Sequence, residues 1–114
     1  MDLINNENNR GLEIVNEILS HLNSESNFIL SNKFLDKKVV SVFRNEDLIH
    51  SAQSFFDNDL NISETSKNTF MHRNTLVYRI EKIYKITGLN IRKFNDAVCF
   101  LVLKSIFDKT NNVR

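Results

Sequence analysis

Proline is absent from this chain of 114 residues, and glycine occurs only twice, at Gly11 and Gly88. Tight hairpin turns and sandwich corners draw heavily on these two residues. A β-rich fold is therefore nearly excluded, while helices can run without interruption. The expected class is all-α, a helical bundle. With 41% hydrophobic and 25% charged residues, a chain of this size supports one compact domain that buries roughly two-thirds of its unfolded surface.

The apolar periodicity agrees with that class. Leu12, Val15, Ile18, Leu19 and Leu22 form one stripe of an amphipathic helix, which the polar stretch Asn23 to Asn27 is expected to end. Phe34, Leu35, Val39, Val42 and Phe43 form a second stripe, expected on one further helix, with β-branched valines that favour it less. Glu46 to Asn58 carries Leu48, Ile49, Ala52, Phe55 and Phe56 on one face. The last helix, about Lys93 to Asp108, contains the unbroken run Ala97 to Leu103. It is too apolar all round for a surface helix and is expected in the core, with dimerisation through it, or through Leu12 to Leu22, as the alternative.

That run is far short of the roughly 20 residues that cross a bilayer, and Met1 to Arg10 is polar and asparagine-rich, without the basic and apolar parts of a secretory signal. No membrane association is expected, and the expected location is the cytoplasm. Cys99 is the single cysteine, so one chain can build neither a disulfide nor a cysteine-based metal site, and it is expected in the core. His21, His50 and His72 lie on separate segments. No metal, no cofactor and no enzyme activity are expected, because no carboxylate pair, nucleophile with a base or glycine-rich phosphate loop is present.

The stretch from Asn61 to Gly88 is the most informative. Asn61, with Glu64 three residues later, has the form of a helix N-cap and capping box. A short helix to about Phe70 follows, then a break near Met71 and His72. A longer helix then carries Leu76, Ile80, Ile83 and Thr87 inward and ends at Gly88, the residue expected in a left-handed C-terminal position. The longer helix is roughly 22 Å long, enough to lie in a DNA major groove. Basic residues Arg73, Arg79, Lys82, Lys85, Arg92 and Lys93 face Glu81 alone between positions 73 and 93, a net of +5 in a chain whose total is +1. The positive charge is thus confined to one segment, as a DNA-facing element requires.

A short helix, a tight turn and a longer basic helix form a helix-turn-helix, which presents its second helix to the major groove of double-stranded DNA. The outward positions are Arg73, Asn74, Thr75, Tyr78, Arg79 and Lys82. Arginine can pair bidentately with guanine, asparagine with adenine, and the threonine methyl can meet that of thymine. Arg73, Asn74 and Arg79 are the expected specificity residues, while Tyr78 and Lys82 hold the backbone. His72 caps the longer helix or touches a phosphate.

The run Asn61-Ile-Ser-Glu-Thr-Ser-Lys-Asn-Thr-Phe-Met-His-Arg-Asn-Thr-Leu-Val-Tyr-Arg-Ile, continuing to Thr87-Gly88-Leu89, resembles the C-terminal helix-turn-helix domain of PucR and CdaR-type bacterial transcription regulators. The specific part is His72 through Leu76 with Tyr78 and Arg79, and the resemblance spans about Asp47 to Ile106. It implies a Fis-like DNA-binding fold and transcriptional control. Such domains are usually joined to upstream sensory domains, which this chain is too short to contain. Ser66 stands where that family usually has alanine, Thr69 where it has leucine, and Val77 where a basic residue is common. The first two are expected to weaken packing of the short helix, and the third to remove a phosphate contact.

The expected organisation is an N-terminal helical segment over residues 1–44, a DNA-binding domain over 45–109 and a tail over 110–114. The N-terminal segment is a candidate for homodimerisation or for docking a protein partner. Two other functions fit the same fold: an architectural DNA bender that depends on backbone contact and deformability, and an adaptor that keeps the domain for protein contact.

Overall fold

The computed structural model describes residues 10–111. The polar start of the chain before Arg10, the side chain of Leu12 and the end of the tail after Asn111 lie outside the described residues. Among the described residues the chain forms helices only. These are α1 (Arg10–Ser20), α2 (Ser24–Phe34), α3 (Lys37–Phe43), α4 (Glu46–Asp57), α5 (Ile62–Thr69), α6 (Arg73–Thr87) and α7 (Phe94–Asn111).

Short polar side chains set most of the helix starts by accepting a hydrogen bond from an otherwise unpaired amide of the first turn. Asn23 Oδ1 accepts from the amide of Ser26 at 2.7 Å, Asp36 Oδ1 from Val39 at 2.9 Å and Asn45 Oδ1 from Leu48 at 3.1 Å. Two of these caps correct the sequence reading. Asn23 does follow the first helix, but it opens α2 where only a polar break was expected. Asp36 divides the stripe from Phe34 to Phe43 between α2 and α3, since a capping residue has extended backbone and cannot continue the helix before it.

The core lies where α3, α4, α6 and α7 meet, with α5 laid against α4 and α6. Val39, Val42, Phe43, Leu48, Ala52, Phe55, Leu76, Ile80, Ile83, Ile91, Phe100 and Phe107 form its buried cluster. Aromatic rings join three of the helices. Phe43 meets Phe100 edge to face at 5.2 Å between centroids and Phe107 at 5.5 Å, and Phe56 meets Phe100 at 5.8 Å. Edge-to-face contacts of this kind add to the burial of the rings themselves.

α1 and α2 pack on α7. Leu19 is buried, Ser105 Oγ donates to Asn16 Oδ1 at 2.9 Å, and the hydroxyls of Ser31 and Thr110 lie 3.0 Å apart. Ile18, expected on the inward stripe, is 61% exposed, and Ile14, Phe28, Ile29 and Phe34 are exposed beside it. Among the described residues, the two N-terminal helices thus expose apolar side chains.

α7 also differs from expectation. Ala97, Phe100, Ile106 and Phe107 are buried at helical spacing, whereas Val98 is exposed and Phe94 is 72% exposed. Cys99, expected in the core, is exposed as well. Val98 lines an open hollow with Phe56, Leu60 and Phe94, and Cys99 lines another with Leu19, Leu30 and Phe34, so neither side chain is fully covered. Partial burial and the nearby Asp96 carboxylate still raise the Cys99 thiol pKa above its ordinary value, because both disfavour the thiolate. No described helix is long and apolar enough to cross a membrane.

Phe100 touches both Phe43 and Phe56, so Phe100→Ala is expected to destabilise the fold by about 3–5 kcal/mol. Urea denaturation followed by circular dichroism measures this. A loss below about 1 kcal/mol would show that the aromatic cluster does not organise the core.

Candidate nucleic-acid interface

The interface begins with the two helix starts that frame the turn. Asn61 Oδ1 accepts from the amide of Glu64 at 2.8 Å, opening α5 as the sequence suggests. His72 opens α6, its Nδ1 accepting from the amide of Asn74 at 3.1 Å. That role requires Nδ1 to be unprotonated. Between them Phe70 ends α5 in the left-handed region, at φ 56 and ψ 27. Gly88 ends α6 in the same way at φ 80, its amide donating to the carbonyl of Tyr84 at 2.8 Å.

Both helices are held by their inner faces. α5 contributes Ile62 and Thr65, and α6 contributes Leu76, Ile80 and Ile83. Thr87, expected inward, is half-buried, and its hydroxyl donates to the carbonyl of Ile83 at 2.7 Å. Val77 is also half-buried and rests against the core, so an apolar side chain suits that position. On α5 the threonines satisfy themselves locally, Thr65 Oγ1 donating to the carbonyl of Asn61 and Thr69 Oγ1 to that of Thr65, each at 2.6 Å. The hydroxyl of Ser66 is buried and has no hydrogen-bond partner.

The outer face of α6 gathers most of the residues singled out in the sequence. Asn74, Tyr78, Lys82 and Lys85 are exposed at intervals of four, four and three, which places them on one side of the helix. The Lys82 ammonium lies 5.9 Å from the centroid of the Tyr78 ring, a cation–π distance. His72 and Arg73 are exposed at the helix start, and Thr75 is half-buried beside them.

The two arginines differ. Arg73 is exposed and Nη1 donates to the Ser63 hydroxyl at 2.9 Å, tying the start of α6 to the start of α5. Arg79 lies at the edge of the strip and is half-buried: Nη1 donates to Ser51 Oγ on α4 at 3.0 Å, and Nη2 lies 4.0 Å from an Asp47 carboxylate oxygen. Ser51 Oγ in turn lies 3.7 Å from Met71 Sδ. Sequence reasoning did not identify Ser51, Ser63 or Asp47 as partners. Separations of 10 and 28 residues carry no local signal, since the pairs exist only once the helices pack. It also treated Phe70 as no more than the end of a helix, yet the side chain is 96% exposed. Among the described residues no group of three or more histidine, cysteine, aspartate or glutamate side chains could hold a metal ion.

Comparison with known proteins finds relatives of this chain. The chain is 28% identical over 78 residues to the YsfB protein of Bacillus subtilis strain 168, covering 68% of this chain and 21% of that protein. It is 34% identical over 47 residues to the purine catabolism regulatory protein of the same organism, covering 41% of this chain and 9% of the other. It is 39% identical over 55 residues to the carbohydrate diacid regulator of Escherichia coli K12, covering 48% and 14%. The chain thus spans about a fifth or less of the length of these relatives. No solved structure matches it. Residues 48–103, which run from α4 through both helices of the motif into α7, match the PucR C-terminal helix-turn-helix domain. Through these residues the chain belongs to the family of PucR C-terminal helix-turn-helix domains.

Proposed function

We propose that this chain binds double-stranded DNA in a sequence-specific manner and regulates transcription, with α6 as the helix that enters the major groove. The observation that carries this reading is the outer face of α6. Amide, phenol and ammonium side chains stand together there on a helix whose opposite face is fixed in the core. Two of the relatives are named as regulators, of purine catabolism and of carbohydrate diacids.

In this reading Arg73 and Asn74 read base edges, because they leave the first turn of α6, the part of a recognition helix that goes deepest into the groove. Thr75 offers its methyl group alongside them. Arg79 acts from a fixed position. Ser51 and Asp47 restrain its guanidinium, and the remaining N–H groups can meet DNA with little further loss of side-chain freedom. Tyr78 and Lys82 hold the phosphate backbone, and His72 does so through its outer nitrogen while its inner one caps α6. The amides at the start of α6 favour a phosphate as well.

Two copies bind as a homodimer in the same reading. The apolar face of α1 and α2, with Ile14, Ile18, Phe28 and Ile29 exposed, is the surface that a two-fold contact buries. Such a dimer sets two recognition helices about 34 Å apart, one turn of the duplex.

Binding to a random-sequence duplex library at two salt concentrations, with sequencing of the bound fraction, tests the function. An enriched motif is expected. Salt-sensitive binding without a motif would leave only architectural binding, and no binding would leave only a protein partner. On the enriched duplex, Asn74→Ala is expected to lose about 1–3 kcal/mol of discrimination at one base position. Lys82→Ala is expected to weaken all sequences alike and to lower the salt slope by about 1. A loss of discrimination in the lysine variant would reverse these roles. Sedimentation equilibrium tests the dimer: the chain is expected to sediment as a dimer, and Ile18→Glu combined with Phe28→Glu as a monomer of unchanged helicity. A monomeric parent would remove the dimer.

A further inference from the structure

Phe70 combines two features that folding alone does not favour. Its backbone is left-handed at φ 56, where a Cβ crowds the following carbonyl; glycine avoids this and asparagine tolerates it. Its phenyl ring is 96% exposed, so it gains nothing from burial in the isolated protein. The chain solves the same local problem with glycine at Gly88, φ 80. The other non-glycine residues with positive φ are accounted for among the described residues. Asp59 has a short polar side chain suited to that region, and Leu60 packs against the core.

The turn itself fixes the direction of the ring. Met71 goes inward, packing against the core beside Ser51, and Phe70 is left outside. Its Cα is at most about 11 Å from that of Arg73, the full reach of three residues. Lys67 and Arg73 are exposed on either side of it, and no acidic residue occurs from Thr65 to Ile80. A partner at this spot therefore meets an exposed apolar ring with two exposed basic residues three positions away along the chain. The side of a DNA strand has both matching features, an apolar deoxyribose face and flanking phosphates.

Resting on the reading of α6 as a DNA-recognition helix, we propose that Phe70 is part of the DNA interface, its ring packing on the deoxyribose wall of the groove that α6 enters. The contact is apolar and carries no base preference of its own. It sets how deeply the start of α6 sits, and so positions Arg73 and Asn74 against the base edges.

The test uses the full chain and the duplex enriched from the library. Phe70→Gly and Phe70→Asn are expected to melt at the same or a higher temperature, because both residues accept the left-handed backbone. Both are expected to bind the duplex about tenfold or more weakly. The salt slope stays unchanged, since a sugar contact releases no counterion. Phe70→Tyr is expected to bind as the parent does. The asparagine variant separates loss of the ring from any loosening of the turn by glycine. Because the chain has no tryptophan, Phe70→Trp also places a single reporter at the site, and its emission is expected to be quenched when duplex is added. Parent-like affinity in the glycine and asparagine variants, or tryptophan emission indifferent to DNA, would overturn the role of Phe70 while leaving α6 as the DNA-binding helix. Failure of the parent chain to bind any duplex would overturn both.

Discussion

Burial of Leu76, Ile80 and Ile83 sets the rotation of α6 about its own axis. All three are almost completely inaccessible, and at about 100° per residue their stripe leaves only one orientation for the remaining side chains. Asn74, Tyr78 and Lys82 then face water because Leu76, Ile80 and Ile83 cannot. The exposed face of α6 follows from how the core is packed. Val77 and Arg79 sit on the borders of the stripe, which is why each is half-buried and why the arginine finds partners on α4. A change that rotated the inner stripe would move every outer residue at once.

The same logic explains what the sequence makes legible. Where a signal is local, it is strong: Asn61 with Glu64, His72 at the start of α6 and Gly88 at its end each act within a few residues. Where structure depends on distant packing, the signal fades. α2 has Phe28, Ile29 and Leu30 side by side, with serine and asparagine around them, so no amphipathic stripe marks it. The opposite problem arises in α7. Its unbroken apolar run hides which face is covered, and Cys99 is exposed within it, at an open hollow between α7 and the two N-terminal helices. The site shows the same division. Asn74, Tyr78 and Lys82 are evident from spacing, whereas the bonds from Arg73 to Ser63 and from Arg79 to Ser51 need the folded helices.

The N-terminal helices play a different part from the rest. α3 contributes Val39, Val42 and Phe43 to the core that also holds α6, so the motif depends directly on it. α1 and α2 meet α7 on another side, where Leu19, Leu30 and Phe34 line an apolar hollow with Val102, Leu103 and Ile106 and where hydroxyl and amide contacts add to the packing. Each of the two helices also exposes apolar side chains. Such exposure costs solubility unless something covers it, whereas α3 is satisfied within the chain. α3 thus supports the motif directly, and α1 and α2 pack on α7.

α5 shows how the motif stays together with so little apolar surface. Eight residues are too few for an independent helix, and its buried contribution is Ile62 and Thr65. The threonine hydroxyls bond back into their own helix. What holds α5 is its setting: the Asn61 cap at one end, contact with α4 and α6 along its length, and the Arg73 guanidinium on Ser63. That last bond links the start of α6 to a helix with little buried surface of its own. If Arg73 turns toward a base and releases Ser63, α5 loses a tie to α6 as DNA arrives; if the guanidinium spans both, the bond to Ser63 fixes its aim. Five N–H donors on one planar group allow the second arrangement, which preserves α5 and orients the arginine at the same time.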